Sequence, residues 1–233
     1  MSHFSVLVIG EDPESQLAPY DENLEVAPYK DDDGDKTTYN PQSKWDWYVL
    51  GGGWTGFFKI KPGTPCVVGR PGVLTEPATK GWADRARLRD VDLEGMQDEA
   101  ERKCRERIAK LAGIKRDWLP WEEMEKRYAS IDACREAYWA QRGPREAHAA
   151  LDLFFASPDK YLASDEDLIA TARADVLATF AIVKDGVWYE RGEMGWFACV
   201  ANEKSAAAWR DEVAALLADL PPDTLLSLYD CHI

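Results

Sequence analysis

The chain has 233 residues, 45% of them hydrophobic and 30% charged, with a formal net charge of −14. That length buries a core without staples, while the charge excludes a general phosphate-backbone binder, which needs a basic stripe, and disfavours anionic membranes. Five cysteines (Cys66, Cys104, Cys134, Cys199, Cys231) stand far apart with no C-x-x-C pair, which argues against a zinc finger or disulfide framework and reads them as small buried residues in a reducing compartment.

The opening MSHFSVLVIGED lacks the basic start and apolar length of a signal peptide. No later run approaches the roughly 18 residues of a membrane span, so a cytoplasmic protein is expected. Phe4 to Ile9 reads as a first strand ended by Gly10. Residues 11–43 are acidic, proline-punctuated and aperiodic. Within them KDDDGD (Lys30 to Asp35) lacks the ligand spacing and closing Glu of a calcium loop and reads as a solvated turn. Trp45 to Lys61 gives two strands interrupted by Gly51-Gly52-Gly53. Alternation puts Trp45, Trp47 and Val49 on one face and Asp46, Tyr48 and Leu50 on the other. A short extended piece is expected near Cys66 to Val68.

From about Asp84 to Leu177 the period becomes helical. Leu93, Met96, Ala100, Cys104, Ile108 and Leu111 recur at steps of three and four up to Gly113. Trp121, Met124, Tyr128, Ile131 and Tyr138 continue that spacing after Pro120, and Gly143-Pro144 breaks the chain. Ala147, Leu151, Phe154 and Phe155 mark a third helix, and Ser164 to Asp167 is a capping box opening a fourth. Strand signals return at Thr179: Ala181 to Lys184 and Val187 to Glu190 flank Asp185-Gly186, a strong hairpin signal. Trp196 to Ala201 reads as a strand. A helix with Trp209, Val213, Leu216, Leu217 and Leu220 on one face stops at Pro221-Pro222, and Asp223 to His232 closes the chain as a strand.

The expected fold class is α+β. A mixed or antiparallel sheet is built from both chain ends, 1–83 plus 178–233, with residues 84–177 as a helical insertion packed on or beside it. The terminal strand–helix–strand resembles a ferredoxin-like half.

Three groups of residues invite chemistry. In KWDWYVLGGGWTGFFKIKPG, bare backbone N–H groups at Gly52 and Gly53 beside Trp47 and Trp54 would cradle an anion and stack a ring, or the glycines would simply let the sheet bulge. His3 and His232 meet if the first and last strands pair antiparallel. Asp230 shares a face with His232, so His3, Asp230 and His232 would suit a divalent metal. In YERGEMGW, Arg191 and Glu193 would clamp a polar ligand, or Glu193 would act as a general base. Neither GxSxG nor HExxH occurs.

These same stretches, SHFSVLVIGEDPESQLAPYDEN, KWDWYVLGGGWTGFFKIKPG, VWYERGEMGW and DCHI, resemble a family of hypothetical proteins carried by tailed bacteriophages and prophages. The resemblance covers the two β-rich ends. Relatives often read GGRW where this chain has Gly52-Gly53-Trp54 preceded by Gly51, so an Arg that would strengthen an anion site is missing. The resemblance implies a phage context and assigns no residue a catalytic role. The leading expectation is an accessory protein of the host cytoplasm, of the host-modifying or counter-defence kind, that binds a nucleotide-like small molecule or a host or defence protein through Trp47, Gly52, Gly53, Trp54, Arg191 and Glu193. The alternative is a metal-assisted phosphoester hydrolase using His3, Asp230 and His232.

Overall fold

A run of apolar residues buried on both faces belongs inside a sheet, and Phe4 to Ile9 is such a run, every side chain at 2% exposure or less except Ser5. In the computed structural model, which describes residues 2–31, 33–153 and 156–233, it forms the heart of a seven-stranded mixed sheet. The strands are β1 (His3–Ile9), β2 (Trp47–Gly52), β3 (Arg70–Pro71), β4 (Arg85–Arg87), β5 (Ala181–Lys184), β6 (Val187–Glu190) and β7 (Leu225–His232). Their order is β6-β5-β1-β7-β2-β3, and β4 also pairs with β7. The chain is an α+β protein whose sheet is built from both ends.

The last strand is the organiser. β7 runs antiparallel to β1 with His3 opposite His232 and Ser5 opposite Asp230. On its other side it pairs with β2 through Tyr229–His232 and with β4 through Leu225–Ser227. β5 is parallel to β1, and β5 and β6 form the hairpin that Asp185-Gly186 foretold, both turn residues having positive φ (54° and 73°). One face of the sheet carries Phe4, Val6, Val8, Ala181, Val183, Tyr229 and Cys231, packed with Leu17 and Trp45 into one buried cluster. Phe4, Val6, Val8, Val183 and Leu17 each contribute roughly 1.5–3 kcal/mol by leaving water.

The helices are α1 (Pro13–Leu17), α2 (Leu93–Lys110), α3 (Trp121–Glu125), α4 (Ile131–Ala140), α5 (Arg142–Ala150), α6 (Asp165–Ala174) and α7 (Ala206–Leu217). α7 buries Trp209 and Val213 and is tied to the sheet: Trp209 Nε1–H donates to the Thr179 carbonyl and Lys184 Nζ to the Leu216 carbonyl, both at 2.8 Å. The chain divides into two compact units, residues 1–95 with 177–233, and residues 96–176. The second unit has its own core of Leu111, Trp118, Met124, Cys134, Tyr138, Ala147, Tyr161 and Leu168.

Several expectations need correction. The helical region starts later than Asp84, because Arg85–Arg87 pairs with β7 and helix begins only at Leu93. The spacing through Tyr128 does not make one helix: α3 ends at Glu125, and Ser130 caps α4 by accepting the Ala133 N–H. Gly143-Pro144 does not break the chain but sits in the first turn of α5, where Pro removes an N–H that has no helical partner. That helix ends at Ala150, and Phe154 and Phe155 lie outside the described residues. The expected strand at Cys66 to Val68 is a single bridge, Val67 to Arg85, and the pairing strand is Arg70–Pro71. Trp196–Ala198 is a tight turn with Phe197 and Ala198 at positive φ (58° and 57°), and only Val200–Ala201 is extended. Cys66 and Cys199 are exposed rather than buried. Of KDDDGD, Asp32 lies outside the described residues; Asp31 Oδ1 accepts the N–H groups of Asp33 and Asp35 at 3.1 and 2.9 Å.

Candidate functional site

Two buried aspartates explain the glycine run. Asp84 is fully buried. Its Oδ1 accepts the N–H groups of Gly56 and Phe57 at 2.6 and 3.3 Å, and its Oδ2 accepts Thr55 Oγ1–H and Gly69 N–H at 2.9 and 2.7 Å. Asp230, 3% exposed, accepts the Gly53 N–H on Oδ2 at 2.8 Å. A Cβ on Gly51 would lie 2.6 Å from Asp84 Oδ2, and one on Gly52 would lie 2.3 Å from the Asp230 Cβ; both glycines have positive φ, 83° and 54°. The run leaves space for these carboxylates. The bare N–H of Gly53, offered to a ligand by the sequence, is engaged by the chain's own Asp230. The neighbouring apolar side chains divide by face: Tyr48 and Leu50 pack on the core cluster, while Trp47 remains 49% exposed. Trp45 does not share the face of Trp47. A bend at Asp46 turns it into the core, 5% exposed, with its ring 4.8 Å from that of Tyr48.

The same register assembles a pair of imidazoles. Cross-strand partners His3 and His232 have ring centroids 5.0 Å apart and meet edge to face. Asp230 Oδ1 receives His3 Nδ1 at 2.9 Å, and Asp46 Oδ1 receives His232 Nδ1 at 2.7 Å. A carboxylate only accepts, so Nδ1 carries the proton on both rings, and Nε2 is the nitrogen left to each for other partners. His3 is half exposed at the side chain and His232 mostly buried, with its Nε2 buried and lacking a hydrogen-bond partner. An unpaired buried ring nitrogen costs about 1–3 kcal/mol, a penalty that tends to persist at working sites. Trp47 stands beside the pair, its ring 6.2 Å from that of His3. Ser5 is not part of the centre, since its Oγ accepts the Phe180 N–H at 3.2 Å. Burial pushes the Cys231 thiol well above its ordinary range, and the adjacent Asp230 charge adds to this, so Cys231 is an inert neighbour.

The expected metal ligands are therefore brought together but not as a ligand set. Asp230 uses one oxygen on His3 and the other on Gly53. Among the described residues, no three His, Cys, Asp or Glu groups are placed to hold a metal ion. Asp230 is a partner that orients His3.

The remaining candidates scatter. Glu190, Ala181, Val6, Tyr229 and Leu50 stand in line across the sheet. Arg191 and the glycine run thus lie about four strand spacings, roughly 19 Å, apart. Arg191 pairs with Glu203, and Glu193 Oε1 accepts Asn202 Nδ2–H at 3.0 Å. The Arg191–Glu193 turn and Trp54 cannot share one small ligand. His148, half-buried on α5, packs its ring 5.1 Å from that of Trp139. Asp46 was missed because alternation placed it opposite Trp47's face, and Asp84 because a lone Asp among arginines carries no pattern.

The class that fold and site define is an α+β protein with two carboxylate-held imidazoles at the ends of the central strands of a mixed sheet. Comparisons with protein-family models, curated proteins and solved structures gave no match. Among the described residues, no helix is long and apolar enough to cross a membrane.

Proposed function

We propose that this chain is an accessory protein that acts by binding, and that its ligand is a nucleotide-like small molecule held at the imidazole end of the sheet. The observation that carries the reading is the paired imidazoles, 5.0 Å apart and each fixed at Nδ1 by a carboxylate, next to the half-exposed indole of Trp47. When its ring is protonated, the half-exposed His3 donates Nε2–H to a phosphate, and Trp47 offers a face to a base. The biological setting we attach is the one the sequence resemblance implies, a phage-encoded factor in the host cytoplasm. A host or defence protein is the competing partner.

Adenosine monophosphate is the probe, titrated calorimetrically. Base stacking is worth about 1–3 kcal/mol, so Trp47→Ala weakens binding about tenfold or more, and His3→Ala weakens it too. Both side chains are about half exposed, so the thermal midpoint stays where it was. Equal affinity for wild type and Trp47→Ala, or no binding at millimolar nucleotide, overturns the reading.

One observation favours a second reading, phosphoester hydrolysis. An imidazole whose Nδ1 is held by a carboxylate is the arrangement of a general base, and the half-exposed His3 has it, with His232 packed edge to face against its ring. Asp230 would then orient His3 instead of ligating metal. Turnover of a nitrophenyl phosphodiester, lost in both His3→Ala and His232→Ala, would select this reading over simple binding.

A further inference from the structure

The helical unit has a cavity of about 220 Å³ between α2, α6 and the 3₁₀ turn Pro158–Leu162. α2 contributes Lys103 and Arg107, four residues apart and therefore on one face, and the turn contributes Lys160. Leu168 and Ala172 of α6 and the buried Tyr161 supply apolar wall. Three lining residues are cationic and none is Asp or Glu, in a chain of 42 acids and 28 Lys and Arg.

The ion pairs of α2 sharpen this contrast. Arg102 holds Glu99 in a fork, Nη2 at 2.6 Å and Nε at 2.9 Å, which pulls that carboxyl down to about 2. Lys103 reaches the same carboxylate only at 3.4 Å. Arg105 is matched by Glu101 at 2.8 Å. Among the described residues Arg107 and Lys160 have no carboxylate partner; Lys160 lies over the Tyr161 ring, 5.1 Å from its centre. A cation in the last turn of α2 suits the helix dipole, which accounts for Arg107 but for neither Lys160 nor the apolar wall.

We propose that this cavity binds a phosphomonoester carried on a short apolar body. The three cations face the dianionic head, and Leu168, Ala172 and Tyr161 cover the body. A cavity of about 150 Å³ takes up a benzene ring, so 220 Å³ suits one ring with its phosphate at the rim. The site is independent of the imidazole pair.

The test titrates the full chain with phenyl phosphate and, separately, inorganic phosphate. Phenyl phosphate binds with a Kd that Arg107→Gln with Lys160→Gln raises about tenfold or more, and that rises steeply with salt. Inorganic phosphate binds at least about tenfold more weakly than phenyl phosphate. Ala172→Leu, which fills the wall and leaves the charges, also weakens phenyl phosphate. Both cations are exposed, so the melting curve of the double variant matches wild type. Phenyl phosphate affinity that survives the double variant but is lost in His3→Ala overturns the proposal, as does equal affinity for the two probes.

Discussion

Gly52 and Gly53 are neighbours with different constraints. At Gly52 a Cβ would stand 2.3 Å from that of Asp230, at a φ of 54°; at Gly53 the nearest contact would be an ordinary 3.4 Å to Asp230 Oδ2. Overpacking and left-handed strain add, so Gly52→Ala destabilises by roughly 2–4 kcal/mol, while Gly53→Ala changes stability by less than about 1 kcal/mol. Urea unfolding of the two variants checks this, and equal losses would mean that the space around Asp230 is not what the glycines protect. Much of the imidazole pair was legible at this scale. His3 and His232 lie at the ends of two apolar runs, and pairing of those runs fixes them side by side. The role of Asp230 was not, because a same-face carboxylate reads equally as a metal ligand or as a hydrogen-bond partner. Only the positions of His3 Nδ1 and Gly53 N–H separate the two.

Elements were legible where a local signal coincided with a period. Ser164 accepts the Asp167 N–H at 3.1 Å and donates to its Oδ2 at 2.8 Å, and α6 starts there as the capping box requires. Ser164→Ala leaves that N–H without its partner, so it costs about 1 kcal/mol in a thermal or chemical melt, and Ser164→Asp restores most of it. Across Tyr128 the period overrode a local signal, the N-cap Ser130, and misled. The apolar spacing across Tyr128 continues from α3 to α4, yet the chain leaves helix between Glu125 and Ile131. The stretch Arg85–Arg87 shows the opposite failure. Its charges hide a strand that β7 holds by backbone pairing. Arg85 is then fixed by side-chain contacts, Nε on Ser227 Oγ at 2.9 Å and Nη2 on Glu14 and Tyr229 at 2.5 Å. Such a strand depends on partners more than a hundred residues away, which a local window does not contain.

At the scale of the molecule, the dependence on distant partners becomes a prediction about cooperativity. β7 is hydrogen-bonded to β1, β2 and β4, so the last strand is what joins β6-β5-β1 to the rest of the first unit's sheet. Among the described residues, the core cluster of residues 96–176 is made of residues of that segment. Within it Asp159 ties three elements together, accepting Trp118 Nε1–H at 2.7 Å, Tyr138 O–H at 2.6 Å and the Trp121 N–H at 2.7 Å. A chain truncated after Asp223 therefore loses the strands and the packing of Trp45 and Trp209 but keeps its helical unit. Its far-ultraviolet circular dichroism retains the helical bands and melts in one cooperative transition, while hydrogen exchange finds no protected amides in residues 3–9 and 47–52. If exchange protection also vanishes from α2, α4 and α6, the helical core draws its stability from the sheet and the two units fold as one.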